Sequence, residues 1–251
     1  MPHVRLITPI TTPGFRGSDA LSALEGPSLR LSLAQIEHGP ASIECAYETA
    51  FAEPATILKI IEAERDGVDA VVIDCMADPG MAGAREAVSI PVLGPSQTSM
   101  HLAAMLGHTF SVLTVLPRLR PQFESLAAVY GLSGKLASVR AVDIPVLELE
   151  SDLVATQRQL VRVAEAAVRD DGAHAIVFGC TGLMGCAAAV RSGLLDLGLD
   201  VPVVDPIPAT LRLAGALVES GLAHSKLTSP PPPDKAMPGY PAAPARFDPA
   251  A

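Results

Sequence analysis

The chain has 251 residues, 49% of them hydrophobic, with 27 acidic and 18 basic side chains giving a net charge of −9. This supplies a dense core for one large domain or two lobes and argues against electrostatic binding of a polyanion. Trp is absent and aromatics make up only 4%, which disfavours base-stacking platforms, and no apolar run approaches the ~18 residues that span a bilayer.

The N-terminus, Met1-Pro2-His3-Val4-Arg5, runs directly into a strand without a signal-peptide pattern, so a soluble cytoplasmic protein is expected. Val4–Thr8 reads as a strand, and Leu29–Leu33 alternates like another. Ile57, Ile60, Ile61 and Glu64 fall at helical spacing. They precede Gly67-Val68-Asp69-Ala70-Val71-Val72-Ile73-Asp74-Cys75-Met76-Ala77-Asp78-Pro79-Gly80, a buried parallel strand running into a tight turn. Another helix and the strand Ile90–Gly94 follow. His101 and His108 lie on a helix-like stretch and read as partners of nearby polar groups.

The same series then repeats. Phe110–Thr114 matches Val4–Thr8, and Ala137–Ala141 matches Leu29–Leu33. Leu153, Gln157, Leu160, Val161, Ala164 and Val168 mark a helix. Gly172-Ala173-His174-Ala175-Ile176-Val177-Phe178-Gly179-Cys180-Thr181-Gly182 matches the first Cys strand, and Val201–Asp205 matches Ile90–Gly94. Strand, helix, strand, helix, strand, helix, strand therefore occurs twice, the pattern of α/β units with parallel sheets. One further helix, Pro208 to Gly221, is expected to cross back onto the first lobe. Eight of the 23 prolines fall between Pro230 and Pro249. The expected organisation is a first lobe of 1–97 plus 209–227, a second lobe of 98–208, and an extended or disordered arm of 228–251.

Four cysteines occur, Cys45, Cys75, Cys180 and Cys186, none in C-x-x-C spacing and none with His placed to complete a zinc set. A metal site and a bound cofactor are not expected. One Cys at a strand end is usually a small inert hydrophobe. Two in equivalent turns of a duplicated fold, outside the carboxyl ends of strands where α/β ligands bind, point to catalysis. Cys45 and Cys186 lack such a match and read as structural. A thiol of reference pKa ~8.5 can serve in catalysis once lowered at a helix N-terminus, and both turns read as plausible helix starts. Thr8, Thr11, Thr12, Thr114 and Thr181 cluster at strand ends, as helix caps or ligand contacts. Asp74 points away from Cys75 and reads as a structural pair member; Asp78 reads as a helix cap. His174 and His224 receive no role.

The layout resembles the cofactor-independent Asp/Glu racemase superfamily, most closely its hydantoin and allantoin racemase branch, over residues 3–227. The matching stretches are Ser42-Ile43-Glu44, Asp78-Pro79-Gly80, Ala84-Arg85-Glu86, Phe110–Thr114, Ile144-Pro145-Val146-Leu147, Gly179-Cys180 and Val201–Asp205. The resemblance implies two pseudo-twofold-related α/β lobes with the active site in the cleft between them. It further implies catalysis by Cys75 and Cys180 without a cofactor, as acid and base on opposite faces of a carbon α to a carbonyl, with turn N–H groups able to hold the developing enolate oxygen. It also implies a small-molecule substrate and a homo-oligomer. Substrate contacts carried over are Thr8, Pro9, Ile10, Thr11, Met76, Thr114, Thr181, Gly182 and Pro206. Departures occur at the walls: Thr8-Pro9-Ile10-Thr11-Thr12 stands where the branch has Asn-Pro-Asn-Thr-Ser. Gln97 replaces Glu, Val115 replaces a second Thr, and Pro206 replaces Gly. The same chemistry on a different substrate is the expectation, a racemase or epimerase of a small ureide-like carbonyl compound. Maleate-type cis–trans isomerases also keep both cysteines and remain the alternative, arylmalonate-type decarboxylases keep essentially one, and a non-catalytic two-lobe binding protein would need neither.

Overall fold

The computed structural model of the chain describes residues 1–233 and 235–240. The strands β1 (His3–Thr8), β2 (Arg30–Gln35), β3 (Ala70–Ile73) and β4 (Val92–Leu93) form one parallel sheet in the order β2-β1-β3-β4. The strands β5 (Phe110–Thr114), β6 (Leu136–Ala141), β7 (Ile176–Phe178) and β8 (Val203–Val204) form a second, in the equivalent order β6-β5-β7-β8. Around them lie α1 (Ser18–Ser22), α2 (Ala46–Arg65), α3 (Met81–Ala87), α4 (Pro95–Leu106), α5 (Arg120–Val129), α6 (Leu153–Arg169), α7 (Ala187–Asp196) and α8 (Pro206–Glu219).

The central strands are apolar throughout because helices cover both faces. All four residues of β3 and all three of β7 are buried, as parallel sheets require. Their register is equivalent: Ile7 of β1 faces Ile73, and Leu113 of β5 faces Phe178. Each Cys turn therefore leaves its sheet two residues beyond a matched pair. Helix α6 starts at a true cap, where the Asp152 carboxylate accepts from the Ala155 N–H.

The two lobes exchange helices. Met100 and Ala103 of α4, which leaves β4 of the first sheet, pack in the core built around Phe110, Val112 and Ile176 of the second. Ile207, Leu211 and Ala214 of α8, which leaves β8 of the second sheet, pack with Val4, Leu6 and Leu93 of the first. Helix α8 starts two residues earlier than the expected Pro208, with Pro206 in its first turn. Helices α4 and α8 also touch each other. The exchange is repeated at the turns: Met76, next to Cys75, sits in the second core, and Met184 packs against the first.

Beyond α8 the chain is tied down by Lys226, whose Nζ donates to the carbonyls of Arg85 and Val88, and by His224, whose ring lies 2.9 Å from the Val92 backbone. Among the described residues after Lys226 there are turns and no helix or strand. The rest of the expected arm, Asp234 and 241–251, lies outside the described residues. No described helix is long and apolar enough to cross a membrane.

The close fit at the end of β7 gives a direct test. A Cβ on Gly179 would lie 2.8 Å from Val112 Cγ1 and 3.1 Å from both Phe123 Cζ and the Thr114 Cα. Gly179→Ala is expected to destabilise the protein by about 1–3 kcal/mol, the usual range for overpacking a filled interior; urea denaturation measures it.

Candidate active site

The loops at the carboxyl ends of both sheets enclose one cavity. Cys75, Met76 and Ala77 enter it from the β3 turn, and Gly179, Cys180 and Thr181 from the β7 turn. The first lobe adds Ile10, Phe15 and Ile43; the second adds Val115, Leu119, Gln122, Phe123 and Val146. Cys75 is partly exposed and Cys180 buried. The turns direct N–H groups at the sulfurs: Cys75 Sγ accepts from the Ala77 N–H at 3.4 Å, and Cys180 takes one from Gly182. Those two donors serve the thiols.

A buried ion pair holds the two turns together. Asp74, one residue before Cys75, meets Arg16 in a bidentate pair, with Oδ2 to Nε and Oδ1 to Nη2 both at 2.9 Å. The Arg16 side chain is 7% exposed and that of Asp74 0%. Arg16 Nη2 also donates to the Thr181 carbonyl at 2.9 Å, and Nη1 reaches Met184 Sδ at 3.5 Å. In return the Thr181 hydroxyl donates to the Asp74 carbonyl at 3.1 Å. One guanidinium on a first-lobe loop thus ties the residue before one cysteine to the residue after the other. Burial works against the charge of Arg16, but the adjacent Asp74 carboxylate outweighs it and raises its pKa. A second tie across the cleft runs from the Val146 N–H to Glu44 Oε1 at 2.7 Å. It joins Ser42-Ile43-Glu44 to Ile144-Pro145-Val146-Leu147, two of the stretches that carried the resemblance.

The sequence led us to expect thiols lowered by helix N-termini; the structure reverses that. Burial pushes Cys180 up to about 12; the Gly182 N–H counters part of this, while the Asp74 carboxylate adds to the rise and offsets the opposing charge of Arg16. Burial drives Cys75 well above the ordinary thiol range, against the Ala77 N–H and with Cys180, Asp78 and Asp74 adding to the rise. The physical reason is that the Cys75 turn delivers one N–H to sulfur inside an apolar cavity, too little to replace lost water.

Of the substrate contacts expected, Ile10, Met76 and Thr181 line the cavity with the cysteines. Thr8, Pro9, Thr11, Thr114, Gly182 and Pro206 are not among its lining residues. Thr8 is turned to Asp74 Oδ2, 3.3 Å away, and Thr11 donates to the Pro40 carbonyl. The Thr114 hydroxyl is buried without a hydrogen-bond partner. Pro206 is buried in the first turn of α8, and Gly182 borders an adjoining pocket with Phe15 and Leu149. Gln97 accepts from Arg85 at 2.7 Å, outside the cavity. Asp78 caps a helix, though α4 and not the one that follows it: it accepts from the Ser96 and Gln97 N–H groups at 3.0 and 2.9 Å and from the Tyr130 hydroxyl at 2.6 Å. Burial raises its carboxyl to about 6. Sequence reasoning missed Phe15, Arg16 and Gln122. An arginine set between Gly14 and Gly17 just after the first strand was the available signal for the loop; nothing local marked Gln122.

The Asp/Glu/Hydantoin racemase family model matches residues 18–214. The chain belongs to this family. It is similar to the hydantoin racemase of Rhizobium meliloti, 36% identical over 229 residues that cover 90% of this chain and 93% of that one. A hydantoin racemase from Pseudomonas sp. (strain NS671) is 39% identical over 197 residues, covering 78% and 77%. Among solved structures, allantoin racemase from Klebsiella pneumoniae superimposes with a TM-score of 0.87 at 32% identity, covering 95% of this chain and 97% of that one. Arylmalonate decarboxylase, at 20% identity and a TM-score of 0.63, shares the fold. The chain is accordingly an isomerase of the racemase class.

Removing Arg16 leaves the Asp74 carboxylate buried and uncompensated. Arg16→Ala is expected to lose about 3–5 kcal/mol of stability, the usual penalty for breaking a buried pair, read as a fall in the urea midpoint.

Proposed function

We propose that the protein racemises a five-membered cyclic amide of the hydantoin type, carrying an apolar substituent at the stereogenic ring carbon. Cys75 and Cys180 act as the two bases. The observation that carries this reading is the delivery of one thiol from each lobe, from equivalent strand ends, into a single cavity. One cysteine as thiolate takes the proton from the carbon α to the ring carbonyl, and the C–H electron pair moves into that carbonyl. The other, as thiol, returns a proton to the opposite face. The roles exchange with the handedness of the substrate.

The walls support the ring-amide substrate over the alternative. Ile10, Phe15, Ile43, Val115, Leu119, Phe123 and Val146 offer no hydrogen bonds, which suits an alkyl or aryl substituent. No Arg, Lys or His is among the lining residues, and Arg16 is already engaged by Asp74. A dicarboxylate such as maleate would be desolvated there without a counter-charge, at a cost few sites sustain. The allantoin ureido group would bring several more polar atoms against the same walls. A cytoplasmic, homo-oligomeric enzyme acting without a cofactor, its lobes divided as the sequence suggests, completes the reading.

Two predictions test it. Cys75→Ser and Cys180→Ser are each expected to abolish racemisation of a 5-alkylhydantoin while leaving the fold intact. In D₂O each variant should retain deuterium exchange of one enantiomer at most, followed by NMR. Near wild-type racemisation by either variant would rule out the two-thiol mechanism.

The pH dependence follows from the raised thiols. Far below its pKa a thiol gains tenfold in thiolate for each pH unit. Log kcat/KM on a 5-alkylhydantoin is therefore expected to climb with a slope near +1 between about pH 7 and 9, without levelling. A plateau below pH 8 would show that the free enzyme already holds an ionised thiol.

A further inference from the structure

Gln122 lies in the first turn of α5 and lines the cavity that holds both thiols. Its carboxamide oxygen is buried and has no hydrogen-bond partner. Such an oxygen costs about 1–3 kcal/mol when left unmatched, and folded proteins pair nearly all of them. The other polar groups of the lining are already matched within the protein. The Asp74 carboxylate is held by Arg16 and Thr8, the Thr181 hydroxyl donates to the Asp74 carbonyl, and each sulfur receives a backbone N–H. Gln122 also borders an outer pocket with Cys45, Arg118 and Ser125, yet its carboxamide oxygen bonds to none of them. The second-lobe side chains that share the cavity with it, Leu119, Phe123, Val115 and Val146, carry no donor. Of the buried side-chain atoms without a partner among the described residues, those of Ser96, Ser99, Thr114, Gln122 and Asp205, this oxygen alone belongs to a residue lining the cavity of the thiols.

We propose that Gln122 determines specificity by accepting a hydrogen bond from a ring N–H of the substrate. This rests on the ring-amide reading above. A five-membered ring holds its amide cis, so the N–H and C=O lie side by side. A primary carboxamide presents the complementary edge, an acceptor beside a donor. The pairing fixes one edge of the ring against α5 and turns the stereogenic carbon toward the two thiols. Open-chain amides, trans at the same bond, present no such edge.

The test is a cycle between enzyme and substrate. Racemisation of 5-isobutylhydantoin and of its N1-methyl and N3-methyl derivatives is measured with wild type and with Gln122→Leu. On the parent compound Gln122→Leu is expected to lower kcat/KM by about 10- to 100-fold, mostly through KM, as loss of one buried hydrogen bond implies. One of the two N-methyl compounds should be comparably poor for wild type and suffer no further loss with the variant, since both changes remove the same bond. Losses that multiply for both methyl compounds, or a variant as active as wild type on the parent, overturn the assignment. Should Gln122→Leu fold poorly by urea denaturation, Gln122→Met supplies the same cycle. A wild type inert on all three compounds overturns the ring-amide reading and the Gln122 assignment with it, whereas activity with additive losses overturns the Gln122 assignment alone.

Discussion

The buried pair between Arg16 and Asp74 is the constraint on which the site depends. Each thiol is set by its own sheet, yet their relation across the cleft is a matter between lobes. Arg16 settles it by gripping the carboxylate beside Cys75 and the carbonyl beside Cys180. A pair this dry gains little net stability over an apolar replacement, but is expensive to break from one side. Its value lies in geometry. Guanidinium and carboxylate meet in a planar fork with two parallel hydrogen bonds, and the Thr181 hydroxyl closes the loop onto the Asp74 backbone.

That grip works only because the lobes are otherwise locked. The exchange of α4 and α8, with Met76 and Met184 each reaching into the opposite core, turns the cleft from a hinge into a packed interior. Gly179 belongs to the same design. A Cβ there would press on Val112 and Phe123, leaving no room for a carboxylate that would mirror Asp74 of the first copy. The pseudo-symmetry therefore breaks at the position where the ion pair forms, leaving one carboxylate, not two, beside the thiols. A second carboxylate would have raised both thiols further.

Dryness sets the chemical tension of the site. The apolar walls that favour a substituted ring also lift both sulfurs away from neutrality, Cys180 to about 12. For Cys180 the Gly182 N–H is the main group that opposes this, and Arg16 adds a smaller pull that Asp74 offsets. Within such walls a single unpaired acceptor such as Gln122 has large leverage over which ring binds and which way it faces.

The sequence by itself determined the duplicated α/β plan and the pair of turns that carry Cys75 and Cys180, because period-two and period-3.6 apolar patterns and strand-end turns are written locally and occur twice. It placed Ile10, Met76 and Thr181 near the thiols, since those residues neighbour the strand ends in the chain. It read Asp78 as a cap but could not name the helix, because α4 starts 17 residues later and meets it only through the fold. It gave the thiols the wrong direction of shift, since a helix start is visible in a sequence while the extent of desolvation is not. Gln122, Phe15 and the Arg16–Asp74 pair, 58 positions apart, were decided by tertiary structure alone. Their roles depend on which groups the closing of two lobes strips of water, and that is a property of the assembled cleft.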